Sequence, residues 1–181
     1  MPPSSQVNRL FNIGILAAFA TLAFVGTTII RIPIPASGGY FNLGDTFVMA
    51  AALLYGPWIG GLVGLIGPAL ADAIGFPQFI LATAIVKGVE GAAVGLIGWT
   101  PRGAAAGRVA AALAAGILIL VAGYFVFEAF VYPLMARWIP FFGVTDPTAA
   151  LAEILPNLFQ GIFSAVIAFG IWRVLGKKQS D

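Results

Sequence analysis

The sequence predicts an all-α membrane protein: a bundle of six transmembrane helices forming one integral membrane domain over residues 1–181. Three observations predict it. Of 181 residues, 60% are hydrophobic and only 9% charged, with a mean hydropathy of +1.01. Soluble domains carry roughly 25% charged residues, so most of this surface must meet lipid rather than water. Apolar runs near bilayer length recur along the chain. Within those runs the few ionisable and amide side chains fall at helical spacing.

Composition also excludes chemistry. The net charge of +2 is too small and too scattered for a nucleic-acid footprint. Without Cys or His the chain lacks disulfides, thiolate ligands and thiol nucleophiles, and the commonest general base and metal ligand. No catalytic residue, metal or cofactor is assigned. A phosphate-binding loop of the G-x-x-x-x-G-K-[ST] type is also missing.

A bilayer core of ~30 Å takes about twenty helical residues. "LFNIGILAAFATLAFVGTTII" (10–30) fits that length, and it is too long for a signal-peptide core, so it reads as a retained first helix. "GDTFVMAAALLYG" (44–56) is shorter, and "PWIGGLVGLIGPALADAIG" (57–75) follows with no polar linker, Pro57 suiting the first turn of a new helix. The fourth helix is expected over 77–99, the fifth over 109–136 and the sixth over 150–175. "TPRGAAAGR" is a hydrophilic loop, and "RWIPFFGVTDPT" is Pro- and aromatic-rich, as an interfacial segment would be. Six spans put both termini on one side, with Arg9, Arg102, Arg108, Arg173, Lys177 and Lys178, against only Arg31 and Arg137 on the other. Positive residues mark the cytoplasm. Both termini are therefore expected inside, and residues 31–44 outside.

Ionisable groups at membrane depth need partners or a cavity. Thr83, Lys87 and Glu90 stack on one face of the fourth helix, Tyr124, Glu128 and Tyr132 on the fifth, and Glu153, Asn157, Gln160 and Ser164 on the sixth. Three such stripes can all be buried only by converging on a common interior. At 1.5 Å per residue, Lys87 lies roughly 15 Å deep, and Thr83, Glu128 and Asn157 about one or two turns from the outer surface. The polar interior is thus expected to open outward, beneath "GGYFNLGD" (38–45).

Each polar residue has a plainer reading. Lys87 and Glu90 are either ligand contacts or an internal ion pair. Glu153 reads as a solvated first-turn acid, Asp72 as an end-of-helix residue, and Asp45 as the N-cap of the second helix. Asn157 and Gln160 are either interhelical glue or ligand contacts beside the kink-prone Pro156. Tyr40, Phe41, Phe76 and Phe79 are either interfacial aromatics or the flat walls of a site for an aromatic ligand. On the first helix Gly14 and Ala18, with Ala17 and Thr21, form a small-residue face that suits either internal packing or an outside partner helix.

"IRIPIPASGGYFNLGDTFVMAAALLYGPWIGGLVGLIGPALADAIG", "IVKGVEG", "GYFVFEAFVY" and "PNLFQG" together resemble the substrate-binding S component of energy-coupling factor (ECF) vitamin transporters. The nearest branch is the riboflavin type, with its pyridoxine and hydroxymethylpyrimidine carriers. The similarity covers about residues 10–175, and "GGYFNLGD" and "ALAD" at this spacing are its most specific elements. It implies a six-helix fold with an outer-half pocket lidded by the first loop. Gly38 and Gly39 would supply mobility there, and Tyr40 and Asn42 contacts. It also implies that Gly14, Ala17, Ala18 and Thr21 dock a transmembrane coupling subunit that works with two ATPase subunits. The branch usually carries Gly-Tyr and Pro-Thr pairs after the third-helix Asp, whereas this chain reads "AIGFPQFILAT", with Phe76 in the aromatic place.

The expected substrate-binding set is Tyr40, Asn42, Phe79, Thr83, Lys87, Glu128, Asn157 and Gln160. With no basic cluster in the outer half, a neutral or weakly charged heteroaromatic suits it better than a doubly phosphorylated ligand. Two other readings compete with a transport subunit of the cell membrane. One is an intramembrane enzyme acting on a lipid or prenyl group with Glu128 or Asp72 as acid or base. The other is an autonomous carrier or channel, for which no pair of inverted halves is visible.

Overall fold

The computed structural model describes residues 5–35, 39–101, 103–139 and 147–176. Expected features at Gly38 and the rest of the lid tip (36–38), at Arg102, Lys177 and Lys178, and over residues 140–146 lie outside the described residues. Helix α1 (Ser5–Ile29) leads into a two-stranded antiparallel hairpin, β1 (Ile32–Ile34) and β2 (Gly39–Phe41), pairing Ile32 with Phe41, Pro33 with Tyr40 and Ile34 with Gly39. The hairpin stands where the sequence reading had only a loop. Strand β1 alternates β-branched Ile with Pro, a pattern too short to announce pairing by itself.

Helix α2 (Gly44–Tyr55) has 12 residues, roughly 18 Å of rise and too little to cross the ~30 Å hydrocarbon core alone. Ten of the 12 are buried, so α2 is the central rod, packed against α1, α3, α4 and α7. The chain reverses at Gly56, whose φ of +89° suits glycine, and Pro57 opens α3 (Pro57–Gly75). A 3₁₀ turn over Pro77–Phe79 leads to α4 (Ile80–Gly98), and α5 follows (Ala106–Val126).

The expected fifth helix is broken in character: Phe127–Val131 is a π turn, followed by the short α6 (Tyr132–Met135). Pro133 has no N–H to donate one turn back, and Tyr132 N–H donates instead five residues back to Phe127 O. Glu128 lies in this turn and is fully buried. The last helix, α7, runs Pro147–Leu175 through Pro156. Among the described residues, five helical stretches are long and apolar enough to cross a membrane: Asn8–Ile29, Pro57–Gly75, Pro77–Gly98, Ala106–Met135 and Thr148–Leu175. The protein is a mostly helical multi-pass bundle in which α2 is a shorter apolar helix.

Between α3 and α4 the backbones touch. A Cβ on Gly64 would collide with the carbonyl of Lys87, one on Gly91 with the carbonyl of Gly60, and one on Gly95 with Pro57. Helices gain no hydrophobic drive to associate in lipid, so this close van der Waals approach of small residues holds the pair together. It also fixes the height of Lys87 relative to α2. Below it, the core near the chain termini is small and tight: Met49, Leu53, Val94, Val109, Leu113 and Ala168 interlock.

Gly64→Ala should lower stability by ~1–3 kcal/mol, since the added methyl meets backbone that cannot yield. Gly14→Ala, with nothing within 4 Å of the new carbon, should be neutral or raise it by ~0.5–1 kcal/mol through helix propensity. Thermal unfolding in detergent checks the pair; equal losses would mean that close α3–α4 contact is not the constraint.

Candidate functional site

The site is built on the segment that replaces the missing first turns of α2. Residues 39–41 run extended into the bundle and Asn42 ends the descent. Its Oδ1 accepts from Gly44 N–H at 2.9 Å and from Thr27 Oγ1 of α1 at 3.4 Å. Its own N–H donates to Gln160 Oε1 of α7 at 2.7 Å. Gln160 Nε2 then donates to Asp45 Oδ2 at 2.7 Å, and Asp45 Oδ1 is ion-paired with Lys87 Nζ of α4. One connected network therefore joins α1, α2, α4 and α7, every member under 5% exposed.

Above this floor lies a pocket lined by Gly39, Tyr40, Asn42, Phe79, Thr83, Tyr124, Glu128, Glu153, Asn157 and Gln160. Connectivity places it at the end of the bundle opposite the starts of α1, α3 and α5 and the end of α7. The cavity is ≈20 Å³, room for about one water, and its open mouth brings the free space to ≈300 Å³. Gly39 has a packing reason to be glycine: a Cβ there would strike the Glu153 carboxylate. Thr83 Oγ1 and the Tyr124 hydroxyl share a hydrogen bond of 2.8 Å, and Asn157 Nδ2 donates to Glu153 Oε2 at 3.4 Å. Phe79 is buried edge-on against Tyr132 at 6.2 Å, and the Tyr132 hydroxyl accepts from Ala82 N–H at 3.2 Å.

Tyr40 closes the rim. Its ring stacks on Phe76 with centroids 4.4 Å apart, its hydroxyl donates to Asp72 Oδ1, and the Arg31 guanidinium lies 5.3 Å from its centroid. Burial, then the adjacent Asp72 carboxylate, push the Tyr40 phenol far above its ordinary value, so it stays a donor. Arg31 in turn donates to Thr27 O at 3.2 Å and Ala71 O at 2.6 Å. The C-terminal end of α1, strand β2 and the end of α3 are clamped at this point.

Seven of the eight sequence-predicted binding residues thus meet around one cavity: Tyr40, Asn42, Phe79, Thr83, Glu128, Asn157 and Gln160. Lys87 does not line it. Of the two readings of Lys87 and Glu90, ligand contacts or an internal ion pair with each other, the structure shows neither for Lys87, which pairs with Asp45, because the glycine contact of α3 and α4 sets it level with the start of α2. Asp45 is correspondingly no N-cap; Leu43 holds that position and Asn42 supplies the nearby cap-like bond. Glu153 is 5% exposed on the pocket wall rather than a solvated acid, α7 beginning early enough to carry it inside. Asp72 is fully buried and accepts from Tyr40, more than an end-of-helix residue. Phe79 is core rather than belt. Sequence reasoning omitted Tyr124, Glu153 and Gly39 from the site, although the first two lay on stripes already recognised.

The first-helix face stays open. Gly14, Ala17, Ala18 and Thr21 are exposed, while Ala23 and Thr27 point inward. Among the described residues of this bundle nothing approaches a Cβ built on Gly14.

Breaking one partner of a buried ion pair costs ~3–5 kcal/mol, whereas removing both is far milder. Asp45→Asn and Lys87→Met should each destabilise by that order, and the double variant by less than their sum. A double-mutant cycle on detergent unfolding reads the coupling; simple additivity would show the pair is not the floor's tie.

The chain was compared with known proteins. The family model for the S component of the ECF-type riboflavin transporter matches residues 4–177. The uncharacterized protein of the gap 3'-region of Pyrococcus woesei is 36% identical over 155 residues, spanning 85% of this chain and 94% of that one. A solved S component of a bacterial ECF transporter shares the fold at a TM-score of 0.64 and 16% identity, covering 96% of this chain and 99% of the other. S components are transporter subunits rather than enzymes, which removes the intramembrane-enzyme reading. The chain belongs to the family of ECF-type riboflavin transporter S components.

Proposed function

We propose that this protein is the high-affinity, membrane-embedded substrate-binding subunit of an ECF-type ABC importer in the cytoplasmic membrane. Its substrate is a water-soluble vitamin or precursor: pyridoxine, hydroxymethylpyrimidine or a riboflavin-like heteroaromatic. The observation that carries this is the polar pocket sunk into one end of an otherwise apolar bundle, with aromatic Tyr40 and Phe79 beside amide and hydroxyl groups. Such a small set of placed polar groups among rings is what fixes a flat ligand. A single integral membrane domain with six crossings and cytoplasmic termini is the topology we assign. The distribution of Arg and Lys supports it, and so does the one-residue reversal at Gly56, which makes α2 return antiparallel to α3.

In this topology the pocket faces outward. Substrate enters past the β1–β2 hairpin, whose strand β2 carries Gly39 and Tyr40, and the cavity opens as those side chains part. Asn42 and Gln160 form the floor, Thr83, Tyr124 and Asn157 the polar wall. The exposed Gly14, Ala17, Ala18 and Thr21 face docks a transmembrane coupling subunit, itself joined to two ATPase subunits that supply the energy. The open space around Gly14 supports an outside partner over internal packing.

Asn157→Ala should weaken binding by roughly ten- to a hundredfold, the worth of a buried hydrogen bond. Ile167→Ala, on the lipid side of the same helix, should leave affinity unchanged. Calorimetry on purified protein, with riboflavin, pyridoxine and hydroxymethylpyrimidine and native mass spectrometry for retained ligand, decides it. Normal binding by Asn157→Ala together with a lowered unfolding temperature would mean that the stripe is only structural.

Gly14→Leu should abolish uptake in cells yet leave the isolated protein's affinity nearly intact, because the bulk meets a partner helix and not the pocket. Uptake surviving without a coupling subunit would favour an autonomous carrier instead.

A further inference from the structure

At the other end of the bundle from the polar pocket lies a second cavity, of ≈540 Å³. That is within the roughly 300–1,000 Å³ of small-molecule sites. It sits where helix packing leaves a gap. Helix α1 packs on α2 and α3, α7 packs on α2 and α5, and the cavity lies between them over the end of α2. Leu53, Leu54, Phe11, Tyr55, Trp99 and Trp172 supply its apolar lining. The rings are already braced. Tyr55 meets Phe19 edge-on at 5.6 Å, Trp99 packs against Gly56, and Trp172 leans on Phe169 at 5.5 Å. Beyond the ring edges the polar side chains are Asn12 and Thr100, and Thr100 is spent on Gly103 O at 2.6 Å. Ordered water needs two to four polar partners apiece, so this space suits a hydrocarbon better.

The rim is cationic. Arg108 Nε donates to Ile97 O, which holds that guanidinium at the end of α4 beside Trp99. Arg9 precedes the lining residue Asn12 by three positions, and Arg173 precedes Gly176 by three, spacings that share a helix side. The Arg173 guanidinium lies 5.9 Å over the Phe169 ring that backs Trp172. All three arginines are exposed, and among the described residues none has an ion pair. An apolar slot beneath three free guanidinium groups matches a molecule with a hydrocarbon tail and a phosphate head. We propose that the cavity holds one hydrocarbon chain of an anionic phospholipid, whose phosphodiester lies on Arg9, Arg108 and Arg173. The chain fills the gap between α1 and α7, and Trp99 and Trp172 take the interfacial depth that indoles favour. In the topology proposed above this is the cytoplasmic leaflet, and the site is independent of the substrate pocket. Asn12 lies on the opposite side of α1 from Gly14, Ala17, Ala18 and Thr21, so a subunit docked on that face leaves the cavity to lipid.

The experiment reconstitutes the purified full chain with equal amounts of dioleoyl phosphatidylglycerol and dioleoyl phosphatidylcholine. Native mass spectrometry then reads the lipid retained in detergent. The wild type should keep one phosphatidylglycerol in roughly ten- to hundredfold preference, each arginine being worth about fivefold. Arg108→Gln and Arg173→Gln should each cut that preference about fivefold. Ala104→Phe, which fills the cavity from its lining, should lose the retained lipid; if it fails to fold, the arginine series still decides. Equal retention of the two lipids by the wild type, or retention of neither, would overturn the proposal. So would phosphatidylglycerol undiminished in folded Ala104→Phe, since the lipid would then lie on the outer surface. A photo-crosslinking arm tests the occupant in native membranes, with p-benzoylphenylalanine in place of Trp172. Irradiation should add the mass of one phospholipid. A crosslink to a coupling subunit, or to residues 177–181 of the same chain, would give the cavity a different occupant and overturn it.

Discussion

A lysine buried among helices that face lipid must be neutralised, and the Lys87–Asp45 ion pair is the constraint from which the rest of this structure follows. The alternative, an unpaired charge at membrane depth, costs several kcal/mol. To reach Asp45, α4 must stand against α2 at a fixed height, and the glycines at 60, 64, 91 and 95 let α3 press α4 into that place. Gln160 extends the tie to α7, and Asn42 extends it to the first extended residues before α2. A polar network of this kind is worthwhile only when its members are satisfied, and here the amide of Gln160 has a donor and an acceptor matched at its two ends.

The same network explains why a pocket exists. Asn42 is held down by Gln160 and Thr27, so α2 winds no further back, and residues 39–41 form an extended wall. The space above the shortened helix is the cavity. Its upper edge is secured separately, by Tyr40 between Phe76, Arg31 and Asp72. The floor is fixed by charge and the rim by stacking. Glu128 completes the wall from the π turn that follows α5, buried on the same face as Tyr124.

Family membership fits this division of labour. One end of the bundle carries the polar pocket, and the exposed small-residue face of α1 is separate from every pocket residue. Phe76, which stands where the branch usually has a hydroxyl-bearing aromatic, stacks against Tyr40 instead of bonding. In this chain the polar contact at the rim passes to the Tyr40–Asp72 bond.

Much of the molecule was legible before any fold was seen. Low charge and long apolar runs dictate helices in lipid, since only hydrogen bonds closed within a segment survive there. Helical spacing puts Thr83, Glu128, Asn157 and Gln160 on inward stripes, because a charge or amide has nowhere else to go. The Gly56–Pro57 break is likewise local, a matter of φ and a missing N–H. Which stripe residue meets which was decided only in three dimensions. Lys87 lies three residues from Glu90 but 42 from Asp45, and periodicity within one helix says nothing of the height at which another helix packs. That height rests on backbone contacts between glycines, which carry no side-chain pattern of their own. Glu153 was drawn inside by the early start of α7, and the hairpin arose from pairing between residues that no short-range signal joins. Helix and stripe follow from local geometry and solvent; partner and pocket follow from packing.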